Sequence, residues 1–396
     1  MTNPSLAPTP VQRLLSLDVL RGITIAFMIM VNNNGGSGSW GFMNHAVWNG
    51  LTATDLVFPT FVFVVGASVV FAFDARLARG ATRAQLAVHT LQRAAILFLL
   101  GVLVNTFPLF HLANIRIYGV LQRIAIAYLA VGLFYLWDKR ASTKIAAVVV
   151  ALVGYWVLLR WVPIPGAGMP GRDFPFMDQT LNLTSWLDRQ IMPHHLYLDW
   201  PGPGILDPHN RHDPEGLLSD IPTLGTALLG MLAALWLRTQ RTVNTKAAGL
   251  AAFCLACLGS GYLWSFWFPF NKNLWTSSFV LAAAGWSLFV LTLAYWTVEK
   301  WGWGKGRGAG FVYPWLVFGS NAITAYMFSE LIPNGLDHII IQVGGRHESL
   351  LVFLTSPIFA HIHNPGWAAF TFSVTIAAFC FLPVWVMYRK RIFVKV

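Results

Sequence analysis

Ten apolar stretches of about 20 residues recur along this chain of 396 residues and limit the folds that it can adopt. A helix of roughly 20 apolar residues crosses the hydrocarbon core of a bilayer, and a backbone in lipid must satisfy its own hydrogen bonds. Hydrophobic residues make up 56% of the sequence and charged residues 11%, which excludes a soluble globular protein. We therefore predict one all-α domain over residues 1–396, a polytopic membrane helix bundle with spans at about 17–33, 53–73, 86–106, 117–137, 145–162, 220–237, 247–268, 275–298, 312–332 and 365–388.

The basic residues are distributed asymmetrically about these spans. When the loops are assigned alternately to the two sides, 18 of the 27 lysines and arginines fall on one side, as the positive-inside rule describes for cytoplasmic loops. The net charge of +11 then follows from membrane topology and does not require a nucleic-acid partner. Arg13 is followed directly by a full-length span, so we expect no cleaved signal peptide and predict that both termini are cytoplasmic.

Two long segments are predicted on the outer side of the membrane. Residues 163–219 are rich in Pro, Gly, Asp, His, Trp and Asn, which suits either a carbohydrate-facing surface or an interfacial aromatic belt with solvated loops. Residues 334–364 contain a further apolar piece at 350–362. A true span there would put the basic residues 389–391 outside, so we predict a re-entrant or interfacial helix.

Histidine, aspartate and cysteine residues were considered as metal or redox sites. Six residues of the outer segment lack the tight spacing of zinc motifs, and we expect no metal at His194, His195, Asp207, His209, His212 and Asp213. Cys254 and Cys257 lie about one turn apart in an apolar span. Small residues at such positions usually serve helix packing.

The stretch from Asn44 to Pro59 brings His45 to the mouth of an apolar span. An ionisable group in or at a membrane is costly and therefore indicates function, and histidine suits proton transfer or acyl capture. Residues 32–36, three asparagines and two glycines, precede it. Their amides could orient the imidazole, donate to an oxyanion or merely cap the first span.

Charged side chains inside the predicted spans need partners. Asp55 and Arg123 are expected at similar depth near the outer side, where they could form a buried ion pair. Near the inner side, Asp18 and Arg21 are three residues apart and Arg93 enters from the third span. These groups could receive phosphates, or they could be ordinary salt bridges and snorkelling side chains.

A series of sequence blocks follows in order along the chain: Ser16–Gly22 (SLDVLRG), Val31–Asn32, His45–Thr52 (HAVWNGLT), Asp55–Pro59 (DLVFP), Gly119–Ala125 (GVLQRIA), Asp213–Ser219 (DPEGLLS) and Asn271–Ser277 (NKNLWTS). Together these blocks resemble the signature of the heparan-alpha-glucosaminide N-acetyltransferase family and its bacterial relatives. The larger luminal N-terminal part of the human member has no counterpart here. We therefore expect a bacterial inner-membrane protein, or a lysosomal membrane protein if the source is eukaryotic.

The resemblance implies acetyl transfer across a bilayer, from cytoplasmic acetyl-CoA to an amino sugar on the other side. His45 matches the family's active-site histidine and Asn32 its associated asparagine. In one mechanism His45 attacks the thioester and carries the acetyl group. In the other, His45 is a general base for the acceptor amine while Asn32 polarises the oxyanion. We favour the second because it avoids an acyl-imidazole exposed to outer water.

The resemblance and the charge pattern together predict further site residues. Asp55 is expected to fix the tautomer of His45 or to pair with Arg123, and Asn49 and Trp48 are expected to support the site. The predicted contacts to CoA are Asp18, Arg21, Arg93, Gln122 and Arg123, and the predicted acceptor contacts are Lys272, Asn273 and Glu215. The family also suggests a homodimer. A transporter of sugars or amino sugars and an O-acyltransferase of periplasmic or cell-wall glycans are the alternatives.

Overall fold

A computed structural model of the protein describes residues 14–36, 38–110, 115–193, 195–197 and 213–394. Within these ranges the chain forms 13 α-helices and one two-stranded sheet. The helices are α1 (Leu15–Asn32), α2 (Val57–Leu77), α3 (Arg83–Thr106), α4 (Val120–Trp137), α5 (Ala141–Trp161), α6 (Leu183–Ile191), α7 (Asp220–Leu237), α8 (Val243–Trp264), α9 (Ser277–Tyr295), α10 (Ala309–Ser320), α11 (Ala322–His338), α12 (Leu350–His361) and α13 (Pro365–Arg389). The strands β1 (Ile340–Val343) and β2 (Arg346–Ser349) pair antiparallel.

Nine helices in the described part of the chain are long and apolar enough to cross a membrane. In α1, α2, α4, α7 and α9 between 61% and 72% of the most apolar window is buried, whereas in α3, α5, α8 and α13 the share is 22–28%. The first five therefore form the centre of the bundle and the other four its periphery. The predicted class, an all-α polytopic membrane protein, is confirmed.

The ninth predicted span, 312–332, differs from the prediction because two helices cover it. Asn321 separates α10 from α11 with non-helical backbone angles, φ −132° and ψ 45°. Its side chain donates to the carbonyl of Ile392 at 3.0 Å and accepts from the N–H of Val394 at 2.9 Å. A short amide that bonds to the backbone competes with helix formation, so the helix breaks where the sequence shows only a continuous apolar pattern.

The two ends of the described chain lie at the same end of the bundle. In the first third of α13, the hydroxyl of Ser373 donates to the carbonyl of Asn33, just after the end of α1, at 2.7 Å. Val394, shortly after the end of α13, lines the same cavity as Arg21 in the first half of α1. The helix α13 therefore runs antiparallel to α1 and ends where α1 begins. We call this the inner end of the bundle and the opposite end the outer end.

Asp74, near the end of α2, joins three central helices at the inner end. Its carboxylate accepts from the hydroxyl of Tyr135 at 2.7 Å and from Nζ of Lys139 at 2.6 Å, and it forms an ion pair with Arg238. Lys139 and Arg238 follow α4 and α7 directly. This cluster ties the inner ends of α2, α4 and α7 together and lies at the other end of α2 from the site described below.

The two long segments predicted on the outer side differ in their content of regular structure. In the described part of 163–219, the helix α6 and the isolated bridges Ile164–Gly168 and Pro170–Phe174 are present. The segment 334–364 contains the end of α11, the hairpin and α12. With 12 residues, α12 is about 18 Å long, and this is shorter than the hydrocarbon core of about 30 Å.

Candidate active site

His45 and Asp55 form a hydrogen-bonded pair at the outer end of the bundle. Nδ1 of His45 lies 2.7 Å from Oδ1 of Asp55; the side chain of Asp55 is 1% exposed and that of His45 is 49% exposed. The other carboxylate oxygen accepts from the N–H of Ala46 at 3.2 Å and from the N–H and the hydroxyl of Thr52, both at 3.0 Å. A carboxylate that only accepts fixes the proton of the imidazole on Nδ1. Nε2 then carries the lone pair of the neutral ring.

Asp55 lies in a helical turn, Thr54–Leu56, directly before α2. The start of a helix stabilises a negative charge, which adds to the effect of the four hydrogen-bond donors. Arg123 has different partners: its Nε lies 3.2 Å from Oδ1 of Asp220, and its Nη2 donates to the carbonyl of Gly216 at 2.9 Å. Of the two roles predicted for Asp55, the geometry thus supports the one with His45.

The loop that carries His45 is held by two other outer loops. Nε1 of Trp48 donates to the carbonyl of Met177 at 2.8 Å, and Nδ2 of Asn271 donates to Oδ1 of Asn49 at 3.1 Å. The N–H of the next residue, Gly50, donates to the carbonyl of Phe270 at 2.8 Å. Trp48 and Asn49 therefore connect this loop to its neighbours.

Lys272 lies against the imidazole of His45. Its Nζ is 3.2 Å from Nε2 and 3.4 Å from Nδ1. The two residues are 227 positions apart in the chain, so the contact depends on the packing of the loops described above. Burial lowers the pKa of Lys272. Asn273 follows in the same loop and is also half-buried.

Asn32 is the last residue of α1 and lies at the same end of the bundle as His45. Its Nδ2 donates to Oε1 of Glu330 in α11 at 2.8 Å. Tyr326, one turn earlier in α11, is buried. Glu330 was not predicted as a site residue, although an acidic residue within an apolar span is itself a functional signal.

Glu215 is bound in a buried charge cluster. Arg116 forms ion pairs with Glu215 and with Asp213, the latter at 2.7 Å. Burial opposes the positive charge of Arg116, but the two carboxylates outweigh burial and raise the pKa of Arg116. Burial likewise opposes ionisation of Asp213, yet the ion pair with Arg116 holds the pKa of Asp213 below its usual value. Glu215 is thus engaged with Arg116, a residue that the sequence patterns did not single out.

A cavity of about 270 Å³ opens toward the inner end and is lined by three arginines, Arg21, Arg76 and Arg93. Nη2 of Arg21 donates to the hydroxyl of Ser68 at 2.6 Å, and its Nη1 lies 3.2 Å from the carboxylate of Asp18. The guanidinium of Arg93 stacks on the ring of Tyr128, 5.0 Å from its centroid. The cavity also exposes apolar walls, including Phe61, Val64, Val65, Leu97 and Ile124.

The structure brings together some of the predicted donor contacts and separates others. Arg21 and Arg93 line the cavity, and Asp18 is paired with Arg21. Arg76 also lines the cavity and is not among the donor contacts predicted from the sequence. Gln122 and Arg123 are fully buried and do not line the cavity. The side chain of Gln122 packs directly against Gly101, and Arg123 is bound to Asp220.

A narrow apolar seam leads from this cavity toward Asn32 and Glu330. A void of about 10 Å³ shares Phe61, Ile124 and Ile323 with the cavity and is also lined by Ile25, Met28, Val120, Leu121 and Tyr326. Arg21, Ile25, Met28 and Asn32 follow one face of α1 at spacings of three and four residues, and Ile323, Tyr326 and Glu330 do the same on α11. One face of each helix thus connects the inner cavity with the outer site.

Within the described ranges, no group of three or more His, Cys, Asp or Glu side chains is arranged to hold a metal ion. Nδ1 of His195 is bonded to the carbonyl of Ile115 at 2.8 Å, and Asp213 is paired with Arg116. The other residues considered as ligands lie outside the described part of the chain: His194, Asp207, His209 and His212. Cys254 and Cys257 are buried free thiols in α8.

Comparisons with known proteins match the sequence of the chain to a family. Residues 13–171, which contain Asn32, His45 and Asp55, match the family model described as heparan-alpha-glucosaminide N-acetyltransferase, catalytic. The chain is 30% identical over 363 residues to the heparan-alpha-glucosaminide N-acetyltransferase of Homo sapiens, a match that covers 81% of this chain and 53% of that protein. It is 28% identical over 377 residues to the protein of the same name from Mus musculus, covering 84% and 55%. The chain thus spans about half the length of these curated relatives. On these matches, the chain belongs to the heparan-alpha-glucosaminide N-acetyltransferase family.

Proposed function

We propose that the protein is a transmembrane acetyltransferase that takes an acetyl group from acetyl-CoA at the inner end and transfers it to an amino sugar at the outer end. The observation that carries this proposal is the pairing of two sites in one bundle. An arginine-lined cavity lies at one end, and a histidine–aspartate pair lies at the other. The family membership supports the same reaction.

The donor is acetyl-CoA bound from the cytoplasm. Its phosphates would meet Arg21, Arg76 and Arg93, because guanidinium groups bind phosphate oxygens through charge-assisted hydrogen bonds. Its uncharged pantetheine arm suits the apolar walls of the cavity and of the seam. The basic loops on the inner side support a cytoplasmic location for this end, in agreement with the positive-inside rule.

The reaction centre is Nε2 of His45. In direct transfer, Nε2 accepts a proton from the acceptor amine as the amine nitrogen attacks the thioester carbon, and Asp55 stabilises the imidazolium that forms. The carbon–sulfur bond then breaks, and the thiolate takes the proton from His45. Asn32, oriented by Glu330, would donate its second amide N–H to the oxyanion.

The acetyl-histidine route uses the same atoms. Nε2 would attack the thioester itself, and the acyl-imidazole would wait for the acceptor. The two routes differ in a single turnover without acceptor. A covalent intermediate releases one equivalent of CoA in a burst and adds an acetyl mass to the peptide that contains His45, whereas direct transfer does neither.

The acceptor would bind beside His45, where Lys272 and Asn273 line the outer loop. A histidine–aspartate pair can deprotonate a hydroxyl as well as an amine, so fragment masses of the product decide between N- and O-acetylation. We further propose that the protein works in a bacterial inner membrane as a homodimer. Crosslinking in isolated membranes, followed by mass analysis, tests the dimer.

The proposed activity is tested by incubating the purified protein with isotopically labelled acetyl-CoA and a panel of hexosamines. We expect a labelled acetylated sugar with the wild-type protein and none above background with H45A. A product that is equally abundant with H45A would remove His45 from the chemistry. Sugar uptake into liposomes without any mass change would instead indicate a transporter.

A further inference from the structure

The contact between Lys272 and His45 has a defined direction. The carboxylate of Asp55 accepts at Nδ1, so the proton of the neutral imidazole is on Nδ1 and the lone pair is on Nε2. Nζ of Lys272, at 3.2 Å from Nε2, therefore donates a hydrogen bond to that lone pair. The distance of 3.4 Å to Nδ1 carries no second bond, because the hydrogen on Nδ1 points to Asp55.

The position of Lys272 is built into the fold. In its loop, Oδ1 of Asn271 accepts from the N–H of Leu274 at 2.8 Å, and Nδ2 of the same residue is bonded to Asn49 in the loop of His45. Trp275 is fully buried with a φ of 52°, a left-handed conformation that is unfavourable for a residue with a side chain. A strained turn is maintained only where the surrounding structure requires it, so the fold determines the backbone position of the turn that carries Lys272.

We propose that Lys272 caps Nε2 of His45 in the resting protein and so prevents the base from activating water before an acceptor is bound. This inference rests on the proposed acetyltransferase function and makes Lys272 a positioning residue that acts through His45. The acceptor amine would displace the ammonium from Nε2. Among the charged groups around Lys272, the carboxylates of Glu215 and Asp55 favour its ammonium form.

The reaction that the cap would suppress is hydrolysis of the donor. When Nε2 is uncovered, this nitrogen accepts a proton from water as the water oxygen attacks the thioester carbon. The carbon–sulfur bond breaks, and the thiolate takes the proton back from His45. One acetyl-CoA and one water would thus give one acetate and one CoA, with no acetylated sugar. Because His45 is 49% exposed, water can reach the ring, and a hydrogen bond on Nε2 is the barrier that the geometry provides.

The first test measures access to Nε2 without any enzymatic turnover. Diethyl pyrocarbonate acylates neutral imidazole, and peptide mass mapping gives the rate for each histidine. His338 and His361 serve as internal references, since both are exposed and both have Nδ1 bonded to a backbone carbonyl at 2.8 Å. In the wild type we expect His45 to react at least about 10-fold more slowly than these references. In K272M it should react at the rate of the references. In K272R, which restores a hydrogen-bond donor, it should react slowly again. Equal rates for His45 in the wild type and in K272M would overturn the cap.

The second test measures thiol release from acetyl-CoA in the absence of acceptor. We expect K272M to release CoA several-fold faster than the wild type, K272R to stay near the wild type, and the double variant H45A/K272M to fall to background. Unchanged thiol release in K272M, with acetyl transfer present in the wild type, would overturn the protective role. Absence of both transfer and thiol release in the wild type would instead refute the proposed function, and the acylation rates would still decide whether Lys272 covers Nε2.

Discussion

Replacing Asp55 with asparagine tests whether the reactivity of His45 depends on its partner. Asp55 accepts one hydrogen bond from His45 through Oδ1 and three from Ala46 and Thr52 through Oδ2. An asparagine of the same shape has a single acceptor oxygen. Three donors face the Oδ2 position, so the oxygen takes that place and the NH2 group faces His45. Nδ1 must then accept a hydrogen bond, so its proton moves to Nε2. Nε2 thereby loses the lone pair that the reaction needs.

The size of the effect follows from this change of tautomer. General base catalysis contributes about 10²–10⁴-fold to an enzymatic rate, so D55N should reduce kcat/KM by about this factor, or by about 3–5 kcal/mol of transition-state stabilisation. Folding should suffer less. The three hydrogen bonds at the Oδ2 position persist without the charge, at a cost of about 1–3 kcal/mol.

Initial rates of acetyl transfer across the pH range, together with thermal unfolding in detergent, measure both effects. D74N is the matched control, because Asp74 lies at the other end of α2, at the inner end of the bundle, and binds Tyr135 and Lys139. We expect D74N to lower the unfolding temperature while keeping the shape of the pH–rate profile. Full turnover of D55N with a normal pH profile would refute the role of Asp55.

Three further changes probe the donor site, the seam and the outer charge cluster. R76Q should raise the KM for acetyl-CoA about 10- to 100-fold, because one charge-assisted hydrogen bond to phosphate is worth about 1.5–3 kcal/mol. This increase should shrink at high salt, and an unchanged KM would exclude Arg76 from the donor site. M28W should fill the narrow void between the cavity and the outer site. We expect it to abolish acetyl transfer while CoA still binds, as measured by equilibrium binding. Transfer at the wild-type rate would show that the acetyl group takes another route. Burial and the nearby carboxylate of Asp213 raise the pKa of Asp188 to about 7, so the folded protein keeps a proton that the unfolded chain releases from about pH 4. This contribution to stability is complete below about pH 4 and is lost as the pH rises to about 7. The unfolding temperature of D188N should therefore fall less over this range than that of the wild type. Equal slopes of unfolding temperature against pH in the two proteins would contradict the raised pKa of Asp188.

Much of the fold could be predicted from sequence because membrane spans are set by a local property, the length of an apolar run. Nine of the windows correspond to helices that are long and apolar enough to span. The break at Asn321 could not be predicted in this way. It depends on hydrogen bonds to Ile392 and Val394, about 70 residues away in the chain, and an apolar pattern contains no information about such partners.

The site shows the same division between local and distant contacts. His45 and Asp55 are ten residues apart in one conspicuous block, and their pairing was one of two predicted alternatives. The contact of Lys272 with Nε2, the bond from Asn32 to Glu330 and the ion pair of Arg116 with Glu215 each join residues that are distant in the chain. Arg76 lies in the last turn of α2, beside a basic loop, and the positive-inside rule already explains such a charge; its place in the cavity could therefore not be recognised from charge alone.

The central claim is that one bundle passes an acetyl group from a donor on one side of the membrane to an acceptor on the other. The direct test uses sealed proteoliposomes with labelled acetyl-CoA on one side only and a membrane-impermeant amino sugar on the other, for the wild type and for H45A. We predict labelled acetyl sugar on the acceptor side with the wild type and none with H45A. Labelled product that forms only when donor and acceptor share one compartment, or that forms equally with H45A, would contradict the account.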